Sequence, residues 1–194
     1  MGHRDRLLEG SISCLQEKGY AATTARDIVD AAGASLASIG YHYGSKEELL
    51  DQALVEAVKR WFEPLIALSA GVEAHDLPER AKAAIVALFN SLPGNRPLVI
   101  SYLEALVRAE RSELLRAQLA RSFHELRLAL AENLRPTLTE ADPSSEEIAS
   151  VICALFDGLI IQWMIDPSRL PPAEQIARSI EATFAALAAP RIPT

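Results

Sequence analysis

The hydrophobic pattern of this chain is helical along almost its whole length. Apolar residues return every three or four positions, which is the spacing of one face of an α-helix, and the sequence has no alternating strand pattern. Leu8, Ile12 and Leu15 show this spacing near the N-terminus. We therefore expect an all-α protein with about nine helices. The expected helices are Arg4–Lys18, two short helices between Thr24 and Gly44, Ser45–Pro64, Leu77–Leu92, Arg96–Glu110, Ser112–Leu134, Ser145–Ile165 and Pro172–Ala189.

Glycine and proline residues mark the expected ends of these helices. Gly19 follows the first periodic segment and is expected to stop it. Pro64 is expected to kink or break the fourth helix, because proline has no N–H to donate. The run Pro93-Gly94-Asn95 is a strong break, and Ser69–Pro78 and Thr137–Pro143 are expected loops.

Two short helices around a glycine-containing turn are expected between Thr24 and Gly44. Thr24 is a good N-cap, because its hydroxyl can accept a backbone N–H of the first turn. Gly33 follows the last apolar position, where helices commonly end in a left-handed residue. Ser35 can cap the next helix, and Leu36 with Ile39 is expected to form its small buried side. This arrangement is typical of a helix-turn-helix motif, whose second helix lies in the DNA major groove.

The following helix has a start signal of its own. Ser45 and Glu48 have the spacing of a capping box, ahead of the apolar Leu49 and Leu50. A long helix that leaves the DNA-binding unit and enters a second bundle would let a distant event move the recognition helix. The sequence therefore predicts two functional parts connected by this helix.

The run GYAATTARDIVDAAGASLASIGYHYGSKEELL resembles the N-terminal DNA-binding domain of the TetR (tetracycline repressor) family of bacterial transcription regulators. The resemblance includes the Gly-Tyr before the first Thr, the Arg-Asp-Ile, the Ala-Gly turn and the aromatic–His–aromatic–Gly–Ser–Lys–Glu run. It implies a helix-turn-helix domain over residues 1–50 and a ligand-binding and dimerisation domain over 51–194. Gly40 stands where the family often has an aromatic residue, which leaves Tyr41 and His42 as the contacts there.

The family pattern implies a set of DNA contacts at matching positions. Backbone N–H groups and a cation at the start of the first short helix favour a phosphate, small residues let the recognition helix sit deep, and Tyr43 fills the local core. The implied DNA-binding residues are Thr24, Arg26, Ser35, Ala37, Ser38, Tyr41, His42 and Lys46. No Asn or Gln occurs between Leu36 and His42 for a bidentate adenine contact, so the operator sequence does not follow from this segment.

The expected helix Ser145–Ile165 is apolar on more than one face, and a helix of this kind is buried on nearly all sides. Pairing with the same helix and the final helix of a second copy would complete its burial as a four-helix interface; a central helix in a monomeric bundle is the alternative. The expected dimer residues are Ile148, Ile152, Leu155, Leu159, Ile176, Ile180 and Phe184. A twofold dimer would place two recognition helices roughly 34–36 Å apart, one turn of DNA.

Aromatic and polar side chains are interleaved in the larger part, as in a small-molecule site. The candidate ligand-binding residues are Trp61, Phe62, Phe89, Tyr102, Glu104, Phe123, His124, Arg127, Phe156 and Trp163. Core packing explains aromatic residues at this spacing equally well, and Glu104 with Arg108 also fits a surface ion pair. A small apolar or amphipathic effector is the expected ligand.

The composition limits the class of protein. The net charge is −7, and residues 1–60 hold seven Lys and Arg against nine Asp and Glu, a balance of −2, which argues against nonspecific coating of nucleic acid. Two cysteines, Cys14 and Cys153, without metal-binding spacing fit a reducing cytoplasmic compartment. We expect no signal peptide, and no apolar run of the roughly 18 residues that a membrane span needs.

Enzyme signatures are absent from the sequence. The four histidines are scattered, and there is no HExxH, phosphate-binding glycine loop or nucleophile elbow. We expect no catalytic residue, metal or cofactor. The expected partners are a double-stranded DNA operator, a small-molecule effector and a second copy of the chain. The expected function is that of a ligand-responsive regulator, by default a repressor of a palindromic operator; the alternative is a helical scaffold without specific DNA binding.

Overall fold

The computed structural model describes residues 2–70, 77–139 and 143–188, and within these ranges the chain is helical with no strand. The expected all-α class is confirmed. The described residues form nine α-helices: α1 His3–Lys18, α2 Ala25–Ala32, α3 Leu36–Tyr43, α4 Lys46–Ala70, α5 Leu77–Ser91, α6 Arg96–Ala109, α7 Glu113–Leu134, α8 Ser145–Ile165 and α9 Ala173–Ala188. Short 3-10 turns occupy Pro93–Asn95 and Arg135–Thr137.

The helices form two compact units, which are discontinuous in sequence. The first unit comprises Met1–Glu63 and Leu92–Leu126, and the second comprises Pro64–Ser91 and Arg127–Thr194. Helices α4 and α7 therefore each contribute residues to both units.

The first unit is built around α1, which packs against α2, α3 and α6. A Cβ at Gly10 would lie 3.0 Å from the Ala32 backbone nitrogen, so glycine here permits the close approach of α1 and α2. Leu7 is fully buried, whereas Leu8 is only partly buried. The sequence pattern predicts Leu8 on the buried face of α1, and the structure places Leu7 there instead. The largest fully buried side chains of this core are Leu7, Leu15, Ile28, Leu49, Leu50, Leu54, Leu92, Leu98, Val99 and Leu115.

The second unit is built around the pairing of α5 with α9. Its core contains Ile85, Ile176 and Ala177, with Phe89 and Phe156 packed against them. Arg80 is buried and donates to the Asn133 carbonyl at 2.8 Å, while the Asn133 amide donates to the Ile66 carbonyl at 3.3 Å. These bonds hold α5, α7 and the end of α4 together through backbone oxygens.

Helix ends follow the sequence signals in most places. Gly19 ends α1 with φ 78°, and Gly33 ends α2 in the left-handed conformation at φ 59° and ψ 45°. Ser144 caps α8 in a reciprocal capping box with Glu147. The expected loop Ser69–Pro78 lies partly outside the described residues, because 71–76 are not described; Ser69 belongs to α4 and Pro78 to α5.

The expected end of α4 at Pro64 is wrong, because the helix continues to Ala70. A proline inside a helix removes one hydrogen bond and crowds the carbonyl four residues earlier, here that of Arg60. Pro64 and Arg60 are both exposed, so water can satisfy the displaced carbonyl. Buried Trp61, Phe62 and Leu65 on either side hold the helix in place.

Helix α8 departs from the expectation that no segment of the chain is apolar enough to span a membrane. At 21 residues it is the one described helix that is long and apolar enough to cross a bilayer by length and composition alone. A core helix of a soluble protein passes the same test. Most of its apolar residues are buried or half-buried, and Val151, Ala154, Ile161 and Ile165 are exposed.

Candidate nucleic-acid interface

The α2 N-terminus is held by a complete capping box. The Thr24 hydroxyl accepts the Asp27 N–H at 3.2 Å, and the Asp27 carboxylate accepts the Thr24 hydroxyl at 2.6 Å and the Thr24 N–H at 2.8 Å. These bonds and the Lys18 ammonium at 2.9 Å hold the pKa of Asp27 well below its usual range. The expected cap at Thr24 is confirmed.

Helix α3 exposes an outer face made of Leu36, Ala37, Gly40 and Tyr41. At 100° per residue these four positions span roughly 140° of the helix. Ile39 and Tyr43 are buried on the opposite side. The expectation that Leu36 is buried is wrong, because 56% of it is exposed. An eight-residue helix needs only one apolar pair to attach it, and Ile39 with Tyr43, four residues apart, provides that pair.

The polar side chains of α3 lie at its flanks. Ser35 occupies the N-cap position without a side-chain cap bond, and its hydroxyl instead contacts the Ser38 hydroxyl at 2.9 Å. Tyr41 is 85% exposed, and its ring packs edge-on against His42 at 4.8 Å between centroids. Ser35 and Tyr41 are exposed to a ligand in front of the helix, whereas Ser38 and His42 are half-buried.

Tyr43 fixes α3 to the start of α1. Its ring is buried, as expected, and its hydroxyl donates to the Arg4 carbonyl at 2.8 Å. The Arg4 guanidinium lies 5.3 Å from the ring centroid. Burial raises the pKa of Tyr43, so the phenol keeps its proton, and with it this hydrogen bond, to a higher pH than a free phenol would.

The ion pairs of the first unit leave cations available near α3. Lys18 pairs with Asp27, Lys59 with Glu125, and Arg60 with both Glu9 and Glu56. Lys46 is half-buried, 3.5 Å from both the Glu47 carboxylate and the Thr23 carbonyl. Within described residues 2–63, exposed Arg4 and Arg26 have no carboxylate partner, so they can meet phosphates despite the acidic balance; Arg6 is half-buried and bonds the His3 ring at 2.9 Å.

The start of α4 has half of the expected capping box. The Glu48 N–H donates to the Ser45 hydroxyl at 3.1 Å. The Glu48 carboxylate lies beside Gly44, whose φ of 85° ends α3. Lys46 thus sits at a well-formed helix start, where an anion is favoured.

An attachment between α6 and the DNA-binding helices was missed by the sequence analysis. The Arg108 guanidinium lies 3.6 Å above the centroid of the Tyr20 ring, and its Nη1 lies 3.0 Å from an Asp51 carboxylate oxygen. The alternative for Arg108, a surface pair with Glu104, is not the pair that the structure shows, because the Arg108 guanidinium lies against half-buried Asp51. Burial, with the Asp51 charge, raises the pKa of Tyr20 to about 12.

A second contact lies beside this cluster. The Tyr20 N–H donates to the Ser101 hydroxyl at 2.8 Å, and Ser101 donates to the Pro97 carbonyl at 2.8 Å. A Cβ at Gly19 would come within 3.3 Å of both partners. No local sequence signal indicates these contacts, since Tyr20 and Ser101 are 81 positions apart.

The candidate ligand-binding residues divide between the two units. In the first unit, Trp61 and Phe62 are buried neighbours, and the rings of Tyr102 and Phe123 lie 6.2 Å apart. Glu104 and His124 are exposed there. In the second unit Phe89 and Phe156 pack on one core cluster, Trp163 is buried and Arg127 is half-buried. Their role in binding an effector stays a prediction.

The candidate dimer residues lie on α8 and α9, and those of α8 lie beside an exposed stripe of the same helix. Ile148, Ile152, Leu155 and Leu159 are half-buried, as is Ile180, whereas Ile176 is buried inside the protomer. The side chain of Phe184 lies outside the described part of the chain. The most exposed apolar positions of α8 are Val151, Ala154, Ile161 and Ile165. A Cβ at Gly158 would meet open space.

Both cysteines are buried thiols. Burial raises the pKa of Cys14, and it raises the pKa of Cys153 to about 11. Among the described residues, no three His, Cys, Asp or Glu side chains form a group that could hold a metal ion. Neither thiol therefore lies in a setting that favours thiolate chemistry.

Two family models match the chain. Residues 7–53 match the family described as bacterial regulatory proteins, tetR family, and residues 77–188 match the family described as BetI-type transcriptional repressor, C-terminal. The first match contains α2, α3 and the start of α4, and the second runs from α5 to α9.

Similar proteins have related descriptions. The HTH-type transcriptional repressor KstR2 of Rhodococcus jostii is 30% identical over 136 residues, 68% of this chain and 64% of that protein. The HTH-type transcriptional regulator BetI of Rhizobium meliloti is 30% identical over 160 residues, 82% of this chain and 76% of that protein. A solved structure from Pseudomonas aeruginosa PAO1, described as a transcriptional regulator, superposes with a TM-score of 0.72 at 25% identity, over 94% of this chain and 90% of the other. The chain belongs to the TetR family of bacterial regulatory proteins, which are ligand-responsive, DNA-binding transcriptional regulators, and its C-terminal part is of the BetI type.

Proposed function

We propose that the protein is a cytoplasmic homodimeric repressor that binds a palindromic operator and is released by a small apolar or amphipathic effector. In this proposal residues 1–50 bind DNA, and 51–194 bind the effector and form the dimer. The observation that carries the proposal is the exposed outer face of α3. This helix follows the glycine turn at Gly33, and its buried Ile39 and Tyr43 attach it to the core. Such a face fits the major groove, about 12 Å wide.

Phosphate contacts would fix the position of α3 on the duplex. We assign these to Tyr41, His42, Arg26 and Lys46, which flank the outer face or begin a neighbouring helix, and base contacts to Ser35, Ala37 and Ser38. With about six phosphates neutralised, log affinity should fall with log salt at a slope of about −5. The similar KstR2 of Rhodococcus jostii is a transcriptional repressor by name, which supports repression rather than activation.

The uncovered stripe of α8 supports a dimer. Val151, Ala154, Gly158, Ile161 and Ile165 follow one another at spacings of three and four, which is the pattern of a helix–helix seam. Ile165 is 80% exposed in the protomer, and burying such a side chain is worth about 1.5–3 kcal/mol. A second copy rather than a bilayer is the proposed cover, because Asp157 lies in the middle of the helix.

Sedimentation equilibrium tests the dimer. Ile161→Glu places a charge in the stripe and is expected to give monomers at micromolar concentration. Val107→Glu, also at an exposed apolar position but on α6, is the matched control and should stay dimeric. Monomeric wild-type protein, or two variants that behave alike, would contradict the proposed interface.

Selection of bound sequences from a random duplex pool tests DNA binding and its symmetry together. We expect an inverted repeat with half-site centres one helical turn, or a multiple of it, apart. Failure to enrich any sequence at low salt would favour the helical scaffold instead. For the effector, linkage requires that operator and effector weaken each other by the same factor. A small molecule that binds tightly without changing operator affinity would rule out release by that molecule.

A further inference from the structure

We propose that Leu36 recognises the 5-methyl group of a thymine in the operator and so determines part of its sequence. The inference rests on the proposed function, because it assigns a base contact to a helix proposed to lie in the major groove. It concerns a side chain that the sequence pattern assigns to the core and that the structure places outside.

Exposure sets Leu36 apart from the other apolar residues of α1, α2, α3 and the described part of α4 up to Ala67. Among the described residues up to Ala67, Leu36 and Tyr41 are the only large apolar side chains that are exposed, and both lie on α3. Exposed apolar surface costs free energy in water, and its concentration on one short helix indicates a binding surface. Leu36 is also the first residue of α3, and N-terminal residues of recognition helices contact base edges.

The neighbours of Leu36 leave room for a base pair to approach. Gly40 lies one turn further along on the same side, and a Cβ there would meet nothing within 4 Å. Ala37 adds a single methyl group. The outer face is therefore shallow in front of Leu36, so that its branched end projects beyond the helix backbone.

The chemistry of this face favours a methyl group over a polar base edge. Leu36, Ala37 and Gly40 have no side-chain donor or acceptor, whereas Tyr41 at the far end of this face and the Ser35 and Ser38 hydroxyls, which contact each other, are the polar groups that would meet other bases or phosphates. In the major groove, the thymine 5-methyl is the apolar group by which a base pair can be distinguished. Cytosine and adenine present amino groups there, which Leu36 would leave without hydrogen-bond partners.

Deoxyuridine provides the test, because it lacks the methyl group and keeps the O4 acceptor. Each thymine of a duplex selected with the wild-type chain is replaced by deoxyuridine in both half-sites, and affinity is measured by fluorescence anisotropy at fixed salt. Loss of one buried methyl corresponds to about fourfold weaker binding, hence about 15-fold for two half-sites. We expect a loss of this size at one or two thymine positions per half-site.

Repeating the deoxyuridine replacements with the Leu36→Ala variant completes a double-mutant cycle between the side chain and the thymine methyl group. We expect this variant to melt like wild type and to bind the thymine duplex more weakly, but to lose less than about twofold on deoxyuridine at the sensitive position. Leu114→Ala is the matched control, since Leu114 is 57% exposed and lies on α7; it should keep the full thymine preference.

Three results would overturn the inference. They are equal affinity for thymine and deoxyuridine at every position, an unchanged thymine preference in Leu36→Ala, or a loss of folded structure in Leu36→Ala, which would show that the side chain is part of the core. If the wild-type chain enriches no sequence, the proposed function falls and this assignment falls with it.

Discussion

Arg108 is expected to be the most important polar side chain between α6 and the DNA-binding helices. Arg108→Met keeps most of the aliphatic stem and removes the charge. The guanidinium lies 3.6 Å from the Tyr20 ring centroid, and a contact of this kind is worth about 1 kcal/mol. The ion pair with Asp51 joins side chains that are 33% and 17% exposed, and about 1 kcal/mol is appropriate for a pair so partly screened.

The two contributions predict a loss of about 2 kcal/mol, or roughly 30-fold in the unfolding equilibrium constant. Urea unfolding followed by tryptophan fluorescence measures it, with Trp163→Phe as the background so that Trp61 reports on the first unit. In a double-mutant cycle with Asp51→Asn, we expect a coupling energy of about 1 kcal/mol. Operator affinity should fall while its salt slope stays constant, because Arg108 is assigned no phosphate.

A loss below about 0.5 kcal/mol for Arg108→Met, or a cycle that is additive, would refute the reasoning. Arg108→Lys separates the two terms, because lysine keeps the charge but not the planar stacking. We expect it to recover about half of the lost stability. Glu104→Gln is the control at the position four residues earlier and should be nearly neutral, since Glu104 is exposed.

Further predictions concern the same unit. Tyr20, with its pKa raised to about 12, stabilises the fold below pH 10, and this contribution is lost as the pH rises from 10 to 12. Absorbance titration at 295 nm should show a phenol that ionises near pH 12 and that Tyr20→Phe removes. Gly40→Ala should stabilise by about 0.5–1 kcal/mol in thermal melts, whereas Gly10→Ala should destabilise, because its Cβ meets the α2 backbone. Equal shifts for the two glycine variants would contradict this. Thr24→Ala should cost about 1 kcal/mol by removing the α2 cap, and an unchanged melt would argue against the box.

The sequence predicts the features that depend on nearby residues. The cap at Thr24 and the left-handed Gly33 follow from residue types whose effects act within one helical turn, and both are confirmed. The resemblance in the first quarter identifies the family, which in turn supplies the architecture of the rest.

The features missed depend on contacts between distant residues. Periodicity places Leu36 with Ile39 on one side of α3, but it does not tell which side of so short a helix is covered. Arg108 has an acid four residues before it, and only the folded structure, which brings α6 beside Asp51 of α4, reveals its partner. Helix α4 continues past Pro64 because the buried side chains of Trp61, Phe62 and Leu65 stabilise it despite the lost hydrogen bond. The expectation that proline ends a helix considers only the backbone and does not include this packing.

The attachment of α6 to α1 bears on how such regulators can be recombined. A chimera that joins residues 1–50 to the body of another protein would separate α1 from its own α6, with Leu98, Tyr102 and Ala105 of that helix buried in the native fold. Specificity should transfer only when α6 is grafted together with the N-terminal segment. The part to be transferred in an engineered regulator is therefore residues 1–50 together with α6, which is distant in sequence, rather than residues 1–50 alone.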